Sequence, residues 1–171
     1  RTVTGVQTCA LPISVCVSEP TQLTSTTSST SADCHNASTG SATVNPLGGT
    51  QPYTYLWSTT PPQTGSTATG LPQGTYTATV TDQNGCSITD IVTVTEPTQI
   101  TLTTASVDAI CNGDANGTAM VTGFGGIPGY TYVWTSIGQT GPTATNLNAG
   151  CYSVIITDAN GCTITDRSEE H

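Results

Sequence analysis

The chain has 171 residues, of which 38 are Thr, and only 8% of its residues carry a charge. Lys and Arg together number 2 against 11 Asp and Glu, which gives a formal net charge of −9. This balance argues against nucleic acids and anionic membrane surfaces as partners, because both are bound through Lys and Arg. No apolar run reaches the length of a transmembrane helix. Because Thr, Val, Ile and Tyr are plentiful and Lys, Glu and Arg are scarce, we expect an all-β chain.

Both ends of the chain are expected to be artefacts. Residues 3–13 back-translate into one orientation of a common short-read sequencing adapter, and residues 167–171 back-translate into the other orientation. Segments of this kind are set aside before the fold is considered. We therefore interpret 1–14 and 167–171 as adapter-derived and expect the native part, 15–166, to be an internal slice of a longer protein.

The native part repeats itself. The tetrapeptide Glu19-Pro20-Thr21-Gln22 recurs at 96–99, an offset of 77 residues that falls to 76 after Trp134. The matched pairs are Cys34 with Cys111, Tyr53 with Tyr130, Trp57 with Trp134, Tyr76 with Tyr152, Asp82 with Asp158 and Cys86 with Cys162. Such a register indicates tandem units. We predict the last strand of a preceding repeat at 15–20, unit one at 21–97 and unit two at 98–166, truncated before its last strand ends.

Strands are predicted from alternation and turn residues. In unit one they cover 22–27, 40–45, 53–58, 65–69, 75–81 and 87–95. Tyr76 follows Leu71 and Gly74, and Tyr152 follows Leu147 and Gly150, with the spacing of a tyrosine corner. The fold expected is two tandem immunoglobulin-like (PKD-like) β-sandwich repeats plus a strand of a preceding repeat. A small jelly roll or a β-prism is the second choice.

Three segments resemble the SprB repeat: 111–119, with Cys-Asn-Gly-Asp-Ala-Asn-Gly; 125–134, ending in Tyr-Thr-Tyr-Val-Trp; and 152–162, ending in Asp-Ala-Asn-Gly-Cys. The resemblance covers nearly all of 21–166, twice over. Unit one departs from it at 34–40, where Cys-His-Asn-Ala-Ser-Thr-Gly stands. The resemblance implies a repetitive stalk or adhesive array on the surface of gliding bacteria, exported by the type IX route, and no catalytic residue.

Three turns resemble the opening of a calcium-binding loop. Their candidate ligands are Asp82 and Asn84, Asp114 and Asn116, and Asp158 and Asn160. A calcium loop continues to further oxygen ligands and a closing Glu, which do not follow here. We favour hairpin turns in which Asp caps its own loop and Gly takes a positive φ. Calcium at these turns, or between units through Glu96, is the weaker alternative, and no other cofactor is expected.

Each unit has a row of aromatic residues on one strand face. The rows are Tyr53, Tyr55 and Trp57 in unit one and Tyr130, Tyr132 and Trp134 in unit two. We favour a core position for each Trp, with the Tyr rings at the rim, because a small unit needs that burial. Stacking of these rings on a sugar is the alternative.

Catalysis is not expected. His35 is the one His of the native part, it has no His counterpart in unit two, and we interpret it as a solvated loop residue. A catalytic arrangement such as Ser–His–Asp would therefore have His35 as its single candidate for the general base. The acidic residues stand singly at turns and strand ends, and the cysteines lack the CxxC spacing of a zinc site.

Four cysteines recur at repeat positions, which indicates disulfides in an oxidising compartment. Because four predicted strands separate Cys34 from Cys86, we expect the chain to return to the same end and Cys34 to bond Cys86. Cys111 is expected to bond Cys162 in the same way. Cys16 and Cys151 are left over, and the predicted hairpin places 151 opposite 169, the position equivalent to Cys16. We expect both to be unpaired here, each being half of an extra cross-strand disulfide.

The function expected is a non-enzymatic structural or adhesive repeat of a large extracellular bacterial adhesin that spaces or presents a binding tip. Its expected partners are neighbouring repeats and a surface polysaccharide, without nucleic acid or membrane insertion. The alternative is a carbohydrate-binding module of a secreted polysaccharide-degrading protein.

Overall fold

The structure, a computed structural model, describes residues 18–111 and 113–168. Every regular element in this part of the chain is a β-strand, which confirms the all-β prediction. The predicted adapter at 1–14 and residues 15–17 of the predicted preceding strand lie outside the described residues. The last strand includes positions 167 and 168 of the second predicted adapter, whereas 169–171 lie outside.

The strands form two sandwiches, one in each unit. Those of unit one are β1 (Thr24–Thr30), β2 (Gly40–Leu47), β3 (Thr54–Trp57), β4 (Thr67–Leu71), β5 (Gly74–Thr81) and β6 (Ser87–Val94). Those of unit two are β7 (Thr101–Val107), β8 (Gly117–Phe124), β9 (Thr131–Trp134), β10 (Gln139–Thr140), β11 (Thr143–Leu147), β12 (Tyr152–Thr157) and β13 (Thr163–Ser168). All six strands predicted for unit one are present, with the first shifted toward the C-terminus.

The two units share one immunoglobulin-like topology. In unit one the sheets have the orders β1-β2-β4 and β3-β5-β6. In unit two the corresponding orders are β7-β8-β11 and β10-β9-β12-β13, with the short strand β10 added at an edge. All of these pairs are antiparallel. The predicted pair of tandem immunoglobulin-like sandwiches is therefore confirmed, whereas residues 18–20 of the predicted preceding strand do not form a strand.

The chain crosses each sandwich five times between its first loop and its last hairpin. In unit one β4 is antiparallel to β2, and β3 is antiparallel to β5. Since only residues 72–73 separate β4 from β5, strands β3 and β4 run in the same direction, and the chain must run back between them through residues 58–66. In unit two the equivalent returning segment contains β10, which pairs with β9. An odd number of crossings puts the first loop and the last hairpin of a unit at opposite ends.

The core of each unit forms around its single Trp. Trp57 and Trp134 are 1% and 0% exposed. In a strand, alternate side chains face the same side, and accordingly Ala42 and Val44 of β2 are both buried. The indole N–H of Trp57 donates to Gly65 O at 2.8 Å, and that of Trp134 donates to Gly141 O at 3.1 Å. Each buried indole N–H therefore has a hydrogen-bond acceptor.

The predicted tyrosine corner is present in both units. The hydroxyl of Tyr76 donates to Pro72 O, and that of Tyr152 donates to Asn148 O, both at 2.9 Å. These bonds tie the start of β5 or β12 to the turn that precedes it.

Candidate functional site

The candidate site is the joint between the two sandwiches. It consists of three segments: the loop 32–37 of unit one, the connection 95–100 and the hairpin turn 158–163 of unit two. The first loop of unit one lies at the end of its sandwich that is nearest the connection, because the N–H of Ala32 donates to Thr95 O at 2.8 Å. The turn of unit two lies at the near end of the second sandwich.

A disulfide crosses this joint. Cys34 of unit one is bonded to Cys162 of unit two, with a Cα–Cα distance of 5.7 Å and a sequence separation of 128 residues. That Cα separation lies within the ordinary range for disulfides. The bond therefore connects two separately folded cores.

Polar contacts accompany the disulfide. Asn160 Nδ2 of unit two donates to Asp33 O of unit one at 2.9 Å. Glu96, whose side chain is 7% exposed, places Oε1 at 2.7 Å from His35 Nδ1, and its Oε2 accepts from the N–H of Asn36 at 2.7 Å. Glu96 therefore anchors the connection to the loop that carries Cys34. Both carboxylate oxygens of Glu96 thus have partners in unit one, and calcium between the units through Glu96 remains a prediction.

The predicted disulfide pairing is wrong. Cys34 does not bond Cys86, and Cys111 does not bond Cys162. The expected pairing assumed four crossings between Cys34 and Cys86, and the returning segment 58–66 makes a fifth. These two cysteines therefore lie at opposite ends of their sandwich.

Three described cysteines are free and exposed: Cys86, Cys111 and Cys151. The unpaired state expected of Cys151 is thus present. Cys16 and residue 169 lie outside the described residues, so the extra cross-strand disulfide remains a prediction. The β12–β13 register, in which Tyr152 faces Ser168, is the register that this prediction assumed.

Two of the three Asp-containing turns are hairpin turns held by the Asp side chain. Asp82 Oδ1 accepts from the N–H groups of Asn84 and Cys86 at 3.0 and 2.9 Å, and Oδ2 accepts from Thr50 N–H at 2.9 Å. Gly85 has a φ of 85°, as the turn interpretation requires. The cap that we favoured for this turn is confirmed.

Asp158 repeats this arrangement in unit two. Its Oδ1 accepts from the N–H groups of Asn160 and Cys162, and its Oδ2 accepts from that of Ile127, each at 2.9 Å. The side chain therefore fixes the turn that presents Cys162 to unit one. Gly161 has a φ of 84°, matching Gly85.

Both carboxylates are held in the ionised form. The hydrogen bond from the N–H of Thr50 lowers the pKa of Asp82 most. Burial raises this pKa, but the N–H groups of Cys86 and Asn84 lower it further, so that it lies below its usual value. For Asp158 burial raises the pKa, but the N–H groups of Ile127, Cys162, Asn160 and Gly161 outweigh it and leave the pKa below its usual value. Each Asp is thus a charged cap with its oxygens already engaged.

The third turn differs from the other two. Asn116 Oδ1 accepts from Ile110 N–H at 2.9 Å, and Asp114 is exposed. Among the described residues no three His, Cys, Asp or Glu side chains form a group that could hold a metal. Calcium at Asp82 or Asp158 would have to displace the backbone hydrogen bonds described above.

The aromatic rows belong mainly to the cores. Both Trp rings are buried, so neither Trp57 nor Trp134 can stack on a sugar in this conformation. The four Tyr residues pack against the cores and remain partly buried, as expected for rim positions: Tyr53, Tyr55, Tyr130 and Tyr132. A glycan contact through the Tyr rings remains a prediction.

His35 is an exposed loop residue, as expected, and it also takes part in the joint. Its side chain is 34% exposed and its Nδ1 lies against Glu96. In the part of the chain that the structure describes, no helix has the length and apolar character needed to cross a membrane.

The sequence reasoning missed a repeated glutamine clamp. Gln63 Nε2 donates to Thr69 O at 2.9 Å and its Oε1 accepts from Thr69 N–H at 3.0 Å. Gln139 makes the same pair of bonds with Thr145, at 2.8 and 3.0 Å. These bonds fasten the returning segment to β4 or β11. The recurrence of Gln at an offset of 76 residues was the available signal.

The comparisons with known proteins bear on the repeat. The model of the SprB repeat family matches residues 26–61 and 103–139, one match in each unit. The suspected resemblance is therefore confirmed. No curated protein matches the chain.

Two solved structures share a broad similarity with the chain. One is titled "Structural basis for Dscam isoform specificity", with 11% identity, a TM-score of 0.34, and coverage of 81% of this chain and 41% of that chain. The other is the crystal structure of Dpr11 IG1 bound to DIP-gamma IG+IG2, with 8% identity, a TM-score of 0.33, and coverage of 88% of this chain and 96% of that chain. The chain thus spans less than half of the first of these structures.

Proposed function

We propose that the chain is a non-enzymatic section of a bacterial cell-surface adhesin, in which SprB-like repeats act as a stiff spacer that presents a binding tip. The observation that carries the proposal is the Cys34–Cys162 disulfide. A bond between separate cores restricts the rotation of one sandwich against the other. A spacer needs that restriction, whereas catalysis and small-ligand binding do not.

The contacts beside the disulfide support the same role. Glu96 fixes the connection to the loop of unit one, and Asn160 bonds Asp33 across the joint. Ile100, the last residue of the connection, is already buried, with 6% of its surface exposed. Little free chain is therefore left between the two folded bodies.

The SprB match supports placement on the cell surface, and disulfide formation is consistent with an oxidising compartment. The surface chemistry also suits an exposed array. The solvent-facing strands are rich in Thr and Ser, as in β1, where six of the seven residues are exposed. Participation in gliding or in surface attachment is part of the proposal.

The spacer role can be tested by measuring the distance between the units. Noncanonical amino acids at the exposed, equivalent positions Thr54 and Thr131 would carry two spin labels. We expect a narrow distance distribution for the oxidised full chain and a broad one for Cys34→Ser. Cys151→Ser, which removes an exposed free thiol, is the matched control and should leave the distribution narrow. Equally broad distributions for all three proteins would contradict a stiff spacer.

Surface location needs a separate test. Antibodies raised against the full chain should label intact cells of the source bacterium without permeabilisation. Labelling only after the envelope is opened would contradict placement on the cell surface.

A further inference from the structure

The free cysteine of unit two occupies the same local structure as the bonded cysteine of unit one. Ala37 N–H donates to Cys34 O at 3.1 Å, and at the equivalent position Asp114 N–H donates to Cys111 O at 3.1 Å. Both loops connect the first two strands of their unit. Cys111 is exposed and unpaired.

The free cysteine of unit one in turn matches the bonded cysteine of unit two. The N–H of Asp82 donates to Cys86 O, and the N–H of Asp158 donates to Cys162 O, both at 2.9 Å. The return bonds, from the N–H of each Cys to Oδ1 of the Asp, are also 2.9 Å long. Cys86 therefore lies in an Asp-capped turn of the same kind as the turn that carries Cys162.

The five crossings place these two kinds of cysteine at opposite ends of a unit. The loop cysteine lies at the end from which the chain leaves, where Cys34 meets unit two. The turn cysteine lies at the end at which the chain enters, where Cys162 meets unit one. Each unit thus carries one half of a joint at each end.

We propose that Cys86 and Cys111 are attachment sites for further copies of this repeat. Cys111 bonds the turn cysteine of the repeat that follows, and Cys86 bonds the loop cysteine of the repeat that precedes. Every joint of the array is then closed by one disulfide of the Cys34–Cys162 type. The proposal rests on the repeat and on the observed bond, and it does not depend on adhesion.

Each bond forms by thiol–disulfide exchange with a disulfide oxidant, such as oxidised glutathione or the disulfide of an oxidoreductase. The thiolate of one cysteine attacks the oxidant and releases one thiolate of it. The second cysteine, deprotonated, then displaces the other thiolate. Two protein thiols lose two protons and two electrons, and the oxidant's disulfide is reduced to two thiols.

The test is the full chain lengthened by one unit, with a second copy of residues 21–97 inserted after Pro97. Unit one has a core of its own, so the inserted copy brings its own folding unit. Cys9, Cys16 and Cys151 are replaced by Ser, and the protein is refolded with a mixture of reduced and oxidised glutathione. Free thiols are then counted by alkylation and mass spectrometry.

Among the six remaining cysteines, pairing across both joints, as for Cys34–Cys162, leaves two free thiols: Cys86 of the first copy and Cys111. Cys86→Ser in the inserted copy should then raise the number of free thiols by one, because it strands Cys34 of the first copy. Cys86→Ser in the first copy is the matched control and should lower the number by one. Pairing within each unit, which leaves no free thiol, would overturn the proposal, as would a protein in which all six thiols stay free.

Discussion

Cys34 of unit one is bonded to Cys162 of unit two across 128 residues of chain. The two residues occupy different positions of the repeat, one in the loop after the first strand and the other in the last hairpin turn. A disulfide between unlike positions joins the exit end of one unit to the entry end of the next. Had like positions been paired, the bond could not propagate along an array.

Loss of this disulfide is expected to destabilise the full chain. Closing a loop of 128 residues contributes up to about 5 kcal/mol on the chain-entropy model. Cys34→Ser should therefore lower the free energy of unfolding in urea and separate the unfolding of the two units. Cys151→Ser should leave the urea midpoint unchanged, and equal midpoints for the two variants would contradict a stabilising joint.

Removal of a core Trp is expected to unfold one unit and leave the other folded. Trp134 is 0% exposed, and replacing such a residue by Ala costs about 3–5 kcal/mol. Trp134→Ala should lower the midpoint temperature of the first thermal unfolding transition. The fluorescence of Trp57, the remaining Trp, would report whether unit one is still folded. Val133→Ala, next in sequence but 43% exposed, is the control and should change stability by less than about 0.5 kcal/mol.

The strands, turns and tyrosine corner could be predicted from the sequence because their signals are local. Alternation marks β2 and β5, and Asp-x-Asn-Gly marks the turns at 82 and 158. The joint could not be predicted in this way. It depends on the direction of the chain between Trp57 and Thr67, where unit one forms no regular strand. One additional crossing there reverses the end at which Cys86 lies, so the cysteines do not pair within their own units as predicted.

Acid is expected to weaken the turns that the two Asp residues cap. The pKa values of Asp82 and Asp158 are lower in the folded chain than the ordinary 3.8. Their contribution to stability is therefore complete above about pH 4 and is lost as the pH falls through the folded-state pKa. The measurement is the thermal midpoint between pH 6 and pH 2.

Asp158→Asn should lower the midpoint at pH 6 and flatten its fall in acid, because the amide carries no charge to be neutralised. Asp108→Asn, at an exposed position outside the capped turns, is the comparison and should keep the wild-type acid profile. An equally steep fall in Asp158→Asn would show that this cap does not govern acid stability.

The tyrosine corner is expected to make a modest contribution to stability. Tyr76→Phe removes the hydroxyl that donates to Pro72 O at 2.9 Å and keeps the ring. The expected loss is about 1 kcal/mol, the usual net value of one hydrogen bond. Urea unfolding measures it, and a variant as stable as the wild type would exclude a stabilising role for this bond.

The most direct test of the disulfide-clamped joint is a disulfide map of the oxidised full chain. Free thiols are blocked, the protein is digested without reductant and the linked peptides are identified by mass spectrometry. We expect one linked pair that contains Cys34 and Cys162, with Cys86 and Cys111 recovered as blocked thiols. Linked peptides that join Cys34 to Cys86 and Cys111 to Cys162 would contradict the account.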